Sequence, residues 1–108
     1  FYKKLGLKLI VHSNKHYARF VCPDGDSTFS LHVVEELPKN GGIVIYFENN
    51  KLDEQVEKLI NRGVLFETMP TDQRWLWREA RLKDSDGNKL ILYQAGENRI
   101  KPPWRLKT

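Results

Sequence analysis

The side chains able to do chemistry in this sequence sit on a few short runs of strand-like composition. Alternation along residues 75–82 sends Trp75, Trp77, Glu79 and Arg81 to one side and Leu76, Arg78, Ala80 and Leu82 to the other. After Asp84-Ser85-Asp86-Gly87-Asn88, a second run sends Ile91 and Tyr93 one way and Leu90 and Leu92 the other. Tyr46 and Glu48 alternate out of residues 43–48, and His32 out of residues 28–34. Rings interleaved with carboxylates suit two kinds of work. Rings on facing strands can sandwich a planar apolar or cationic ligand, each cation over a ring being worth roughly 0.5 to 2 kcal/mol, with Glu48 and Glu79 as counter-charge. Alternatively Glu79, desolvated by its Trp neighbours, can act as a metal-free general base. A structural reading competes with both: alternating aromatics also build strand cores and subunit interfaces. On that reading Glu79 beside Arg81 is an ordinary surface ion pair and His32 an ordinary hydrogen-bonded strand residue. Whether the chain is an enzyme stays open on the residues alone.

At 108 residues and 12.7 kDa the chain is long enough for one domain with its own core. The single Cys22 cannot close an internal disulfide, so a reducing, cytoplasmic compartment is expected. With no activating motif around it, Cys22 reads as a small strand residue and not as a nucleophile. No apolar run reaches the roughly 20 residues of a membrane span, and no membrane partner is expected. The net charge of +4 is spread out except for Arg99, Lys101, Arg105 and Lys107, which surround Trp104 near the end. No nucleic-acid motif accompanies this cluster, so it reads as a solvated tail lying over the domain.

These residues need elements to hold them. Phe1, Tyr2 and Leu5 followed by Gly6 read as the end of a helix and its cap. Strands are expected at 8–12, 17–22 and 28–34, turning at Ser13-Asn14-Lys15 and Pro23-Asp24-Gly25-Asp26. His12 and His16 flank the first turn and are expected to face solvent. Residues 38–42, rich in breakers, make the boundary between halves. A strand at 43–48 then leads through Asn50, a candidate N-cap with Asp53 three residues on, into a helix with Leu52, Val56, Leu59 and Ile60 as its apolar stripe. Gly63 ends that helix. Residues 64–67 read as a strand, 69–73 as an irregular crossing, and 75–94 as the final hairpin.

The halves repeat. Helix end, Gly, two strands, an Asp-Gly turn and a last strand occur in both, and the match sets Phe29 with Leu90, Ser30 with Ile91, Leu31 with Leu92 and His32 with Tyr93. The second half has a strand before its helix; the first has none, so a strand is expected upstream of Phe1. This doubled unit, with WREARLKDSDGNKLILYQ as its last hairpin, resembles the vicinal oxygen chelate superfamily of glyoxalases, bleomycin resistance proteins and extradiol dioxygenases. The closing YQAGENRIKPPWR resembles a bacterial subgroup of small single-domain members.

The resemblance implies an α+β domain over 1–108. Its two βαβββ modules would form a curved mixed sheet, a half-barrel cleft, commonly completed as a homodimer. Module one would be 1–37 without its first strand, module two 42–95, and the tail 96–108. Metal-using members place ligands at points that fall here on Val44, Ile91 and Ser30, and Val and Ile offer a metal nothing. The expected function is therefore binding or sequestration of a small molecule without a cofactor, as bleomycin resistance members hold a flat cationic antibiotic. The ligand-binding residues would be Trp75, Trp77, Tyr46, Glu48, Glu79, Tyr93 and His32, with Glu79 and His32 as catalytic candidates. The alternative is a lyase, isomerase or dioxygenase of glyoxalase type, its divalent metal held by a residue of the absent strand together with His32 and Glu79.

Overall fold

A computed structural model describes residues 1–36, 39 and 42–107. The class is α+β, as the resemblance implies, with one α-helix and two sheets among the described residues. The chain divides into two compact units, Phe1–Leu37 with Glu97–Thr108, and Pro38–Gly96. The connection expected at 38–42 lies largely outside the described residues.

The first unit opens with a single 3-10 turn, Tyr2–Leu5, closed by Gly6 at φ 91°. Strands β1 (Lys8–Ser13), β2 (Tyr17–Val21) and β3 (Thr28–His32) follow in an antiparallel sheet of that order. Asn14 and Lys15 both take positive φ, and the His16 amide donates to the Ser13 carbonyl. This is the tight turn whose twist matches a hairpin. Alternation fails in one place, because the register slips between Leu9 and Val11 and leaves Ile10 as a bulge. Ile10 and Val11 are consequently both buried. The carbonyl of Ile10 accepts from the amide of Leu106 at 2.8 Å, which ties the C-terminal segment to this sheet.

The second unit has the complete strand–helix–three-strand order: β4 (Ile45–Glu48), α1 (Leu52–Asn61), β5 (Thr68–Asp72), β6 (Arg78–Lys83) and β7 (Lys89–Gln94). Spatial order is β4-β7-β6-β5, with β4 parallel to β7 and the remaining pairs antiparallel. Leu52 and Val56 of α1 bury against Ala80, Leu82 and Leu92, as the periodicity requires. The helix ends in a Schellman motif, Gly63 donating to the Ile60 carbonyl and Val64 to the Leu59 carbonyl.

Three local expectations are corrected. Residues 64–67 are not a strand, since Val64 is spent on the helix cap; the strand is Thr68–Asp72, in the segment read as irregular. Pro70 is tolerated there because β5 is the sheet edge and its register is irregular between Thr68 and Thr71. The first strand of the final hairpin begins at Arg78, not Trp75. Residues 73–77 form a turn closed by the Gln73 amide on the Trp77 carbonyl, with Leu76 at φ 68°. Finally, Asn50 does not cap α1. The Asn49 carboxamide accepts from Lys51 N at 2.7 Å and Gln94 Oε1 accepts from Leu52 N at 3.3 Å. Asp53 instead holds Arg78 through two hydrogen bonds.

Candidate functional site

Register on the face of the second sheet opposite α1 brings most of the predicted residues into two rows. Glu48 lies beside Tyr93 and Tyr93 beside Glu79; in the next row Tyr46 lies beside Ile91 and Ile91 beside Arg81. Trp77 closes over this lattice from the turn before β6. Its ring stacks on Tyr93 with centroids 4.6 Å apart and planes 18° from parallel. Tyr46 meets both edge-on, at 6.2 Å from Trp77 and 5.6 Å from Tyr93. Trp77, Ile91, Tyr93 and Ala95 are buried and Trp75 packs against them half-exposed. The rings therefore do not stand apart to sandwich a ligand. Trp77 and Tyr93 make a closed floor, and the accessible aromatic surfaces belong to Tyr46 and Trp75.

Glu79 lies in this cluster with only 2 % of its surface exposed. The Trp75 indole N–H donates to Oε2 at 2.7 Å, while Arg81 Nη2 approaches Oε1 at 3.5 Å from a half-exposed side chain. A carboxylate offers about four lone-pair directions; here one firm and one long contact use them. The arrangement is suited to accepting an N–H or a cation from a ligand, since a carboxylate removed from water interacts more strongly with a partner than a hydrated one.

His32 does not belong to this lattice. It is in the first unit, exposed, with its ring 4.7 Å from that of Tyr17. His12 and His16 are exposed. Cys22 is a half-buried free thiol just beyond β2. The basic tail is less solvated than expected. The Arg99 guanidinium donates to the Asp26 carbonyl and to Thr28 Oγ1, and Pro102 is buried.

Sequence reasoning overlooked Arg19, a charged residue only 4 % exposed. Its place between Ala18 and Phe20, in step with Tyr17 and Val21, was the available signal. An open groove of about 280 Å³ lies on the helix side of the second sheet, lined by Asp53, Val56, Ile60, Met69 and Arg78 among others. Its Arg78 is clamped by Asp53 at 2.8 Å and Asp72 at 2.9 Å. The hydrogen bonds from Arg78 hold the Asp53 carboxyl below the usual carboxylate range, and those from the two carboxylates push Arg78 above its ordinary value. Among the described residues that line the groove, Arg78 is the cation, and both carboxylates hold it.

Among the described residues no three His, Cys, Asp or Glu side chains converge as a metal site requires. Ile91 is buried among rings, Val44 is aliphatic, and the Ser30 hydroxyl is hydrogen-bonded to Tyr17.

Residues 1–92 match the glyoxalase/bleomycin resistance protein/dioxygenase superfamily, and the chain belongs to it. Solved structures with related folds include a member of that superfamily from Sphaerobacter thermophilus, 25 % identical over 85 % of this chain and 80 % of the other, TM-score 0.45. Another comes from Nocardioides, 20 % identical over 85 % and 69 %, TM-score 0.48. A lactoylglutathione lyase from Agrobacterium tumefaciens is 15 % identical over 87 % and 80 %, TM-score 0.43. No curated protein matches the chain. Among the described residues no helix is long and apolar enough to cross a membrane.

Proposed function

We propose that this chain is a metal-free small-molecule binding or sequestration protein whose ligand lodges against the ring cluster of the second unit. The observation that carries the reading is Glu79, a carboxylate buried among Trp75, Trp77 and Tyr93 with acceptor capacity to spare. Such a site favours a planar compound bearing a positive charge or N–H donors: the carboxylate supplies the counter-charge, and Tyr46 and Trp75 supply ring surface. The working form is a cytoplasmic homodimer. Supporting the dimer is the outer strand β4, where Ile45, Tyr46 and Phe47 are 47, 42 and 50 % exposed without an intervening charge. Proteins normally cover such an edge.

Titration with N-methylacridinium, a planar aromatic cation, followed by tryptophan fluorescence, tests the binding reading. Saturable quenching is expected, with affinity reduced roughly tenfold in Glu79→Gln, the scale of one charge-assisted contact, and further in Trp75→Ala. An unchanged affinity in both variants counts against the site. Turnover that depends on added Ni, Mn, Fe or Zn would overturn the function and favour the lyase or dioxygenase alternative.

A further inference from the structure

Glu79 has a cation beside it on the same face of the second sheet. Pairing of β4 with β7 and of β7 with β6 puts Tyr46, Ile91 and Arg81 in one row, next to the row that ends in Glu79. Arg81 Nη2 stands 3.5 Å from Glu79 Oε1, and the Trp75 indole N–H donates to Oε2 at 2.7 Å. The carboxylate is therefore flanked by a guanidinium at one oxygen and by a half-exposed ring at the other. The two charges differ in their access to water: the Glu79 side chain is 2 % exposed and that of Arg81 is 50 % exposed.

A guanidinium carries five N–H donors in a planar fork. The long contact with Glu79 is the side-chain bond that Arg81 makes among the described residues, and its other donors have no partner there. As charges Glu79 and Arg81 cancel, which leaves a dipole with its negative end buried and its positive end half in solvent. A bare cation drawn to Glu79 is repelled by the guanidinium next to it. A ligand with a positive group and a carboxylate on neighbouring atoms meets attraction at both ends.

We propose that the ligand of the ring cluster is a compact aromatic zwitterion of the amino-acid type, its ring on Trp75, its ammonium on Glu79 and its carboxylate on the fork of Arg81. The inference rests on binding at that cluster and adds the carboxylate, with Arg81 as the residue that selects for it. The unused donors of Arg81 suit a two-point contact with a carboxylate, and half exposure keeps them within reach. Such a ligand also leaves neither protein charge unmatched once it covers them from water, whereas a simple cation would cover Arg81 without a counter-charge.

The test is calorimetric titration of the full chain with three compounds that share an indole ring: tryptamine, which has the ammonium alone, indole-3-propionate, which has the carboxylate alone, and tryptophan, which has both. Tryptophan should bind roughly tenfold tighter than either, the scale of one charge-assisted contact; this comparison needs no variant. In Arg81→Met the advantage over tryptamine should disappear while tryptamine binds as well as before, whereas a merely structural role for Arg81 would weaken both alike. Arg81→Lys, which keeps the charge and loses the fork, should retain only part of the advantage. Tryptophan binding no tighter than tryptamine, or an equal loss of both in Arg81→Met, overturns the inference. If N-methylacridinium still binds in that case, the ring-cluster site stands without its carboxylate partner; if neither it nor any indole compound binds, site and inference fall together.

Discussion

The two units repeat an arginine at one point of the same lattice, Arg19 in the first and Arg81 in the second, but bury different charges. In the first, β2 and β3 set Tyr17 against His32 and Arg19 against Ser30; in the second, β6 and β7 set Glu79 against Tyr93 and Arg81 against Ile91. The first unit buries the cation, with Arg19 4 % exposed; the second buries the anion, with Glu79 2 % exposed and Arg81 left half in solvent. Each buried charge has a nearby aromatic residue as its hydrogen-bond partner, the Tyr17 hydroxyl accepting from one and the Trp75 indole donating to the other. The repeat thus preserves strand register and the arginine, while the buried charge moves to the position two residues earlier on the strand, where Glu79 stands in place of Tyr17.

The largest expected effect comes from removing the ring floor. Trp77→Ala should lower stability by about 3 to 5 kcal/mol, the range for a large buried aromatic, measured by urea unfolding. A loss below about 1 kcal/mol would mean that the cluster is not the second unit's core and would break the comparison. Next come the buried charges themselves. Glu79→Ala removes the acceptor of the Trp75 indole and Arg19→Met removes a donor to the Arg99 carbonyl, each costing about 1 to 3 kcal/mol. Glu79→Gln keeps an acceptor for Trp75 and should cost less than about 1 kcal/mol. If Gln and Ala cost the same, the indole bond is not what holds residue 79.

A smaller effect separates the turns. Asp84 accepts from the amides of Asp86 and Asn88 and from the Asn88 side chain, and chiefly the Asn88 side-chain bond holds its carboxyl below the usual range. A depressed folded value means that the unfolded chain takes up the proton first. The turn's contribution is therefore complete above about pH 4, the ordinary Asp range, and is lost as pH falls through the lower folded value. Hydrogen exchange at Asp86 and Asn88 should accelerate over that acid window and be flat above it; Asp84→Asn should abolish the dependence. The smallest difference is at the helix start. Asn50→Ala should stay within about 0.5 kcal/mol of the parent, whereas Asn49→Ala and Gln94→Ala should each cost about 1 kcal/mol. Equal costs at Asn49 and Asn50 would restore the cap read from the sequence.

How much could be read in advance follows from periodicity. Leu52 and Val56 on the helix, and the alternation of Leu90, Ile91, Leu92 and Tyr93, were legible because one face is buried and the spacing admits one solution. The 84–88 turn was legible because Asp, Gly and Asn have few other uses in such a cluster. Departures from periodicity were not. The bulge at Ile10 adds one residue without a compositional mark, and Leu76 takes positive φ where Gly or Asn is expected. Residues 69–73, read as an irregular crossing, hold most of a strand that carries Pro70 because it lies at a sheet edge. At the candidate site the face was legible and the spacing of its rings was not. Alternation places Trp77 and Tyr93 on one side but cannot say that they stack on each other. Burial of Arg19 depends on Arg99, some eighty positions away in the chain, which no local pattern reports.

The bond from Leu106 to the bulged carbonyl of Ile10 also sets an order of assembly. Strands β1 to β3 are synthesised ahead of residues 38–96, yet the bond that Leu106 gives their sheet cannot form until after those residues have been made. Residues 38–96, synthesised in between, hold everything their own sheet and helix require as soon as Gly96 clears the exit tunnel. Of the two units, the one whose strands are made first is therefore completed only after the other.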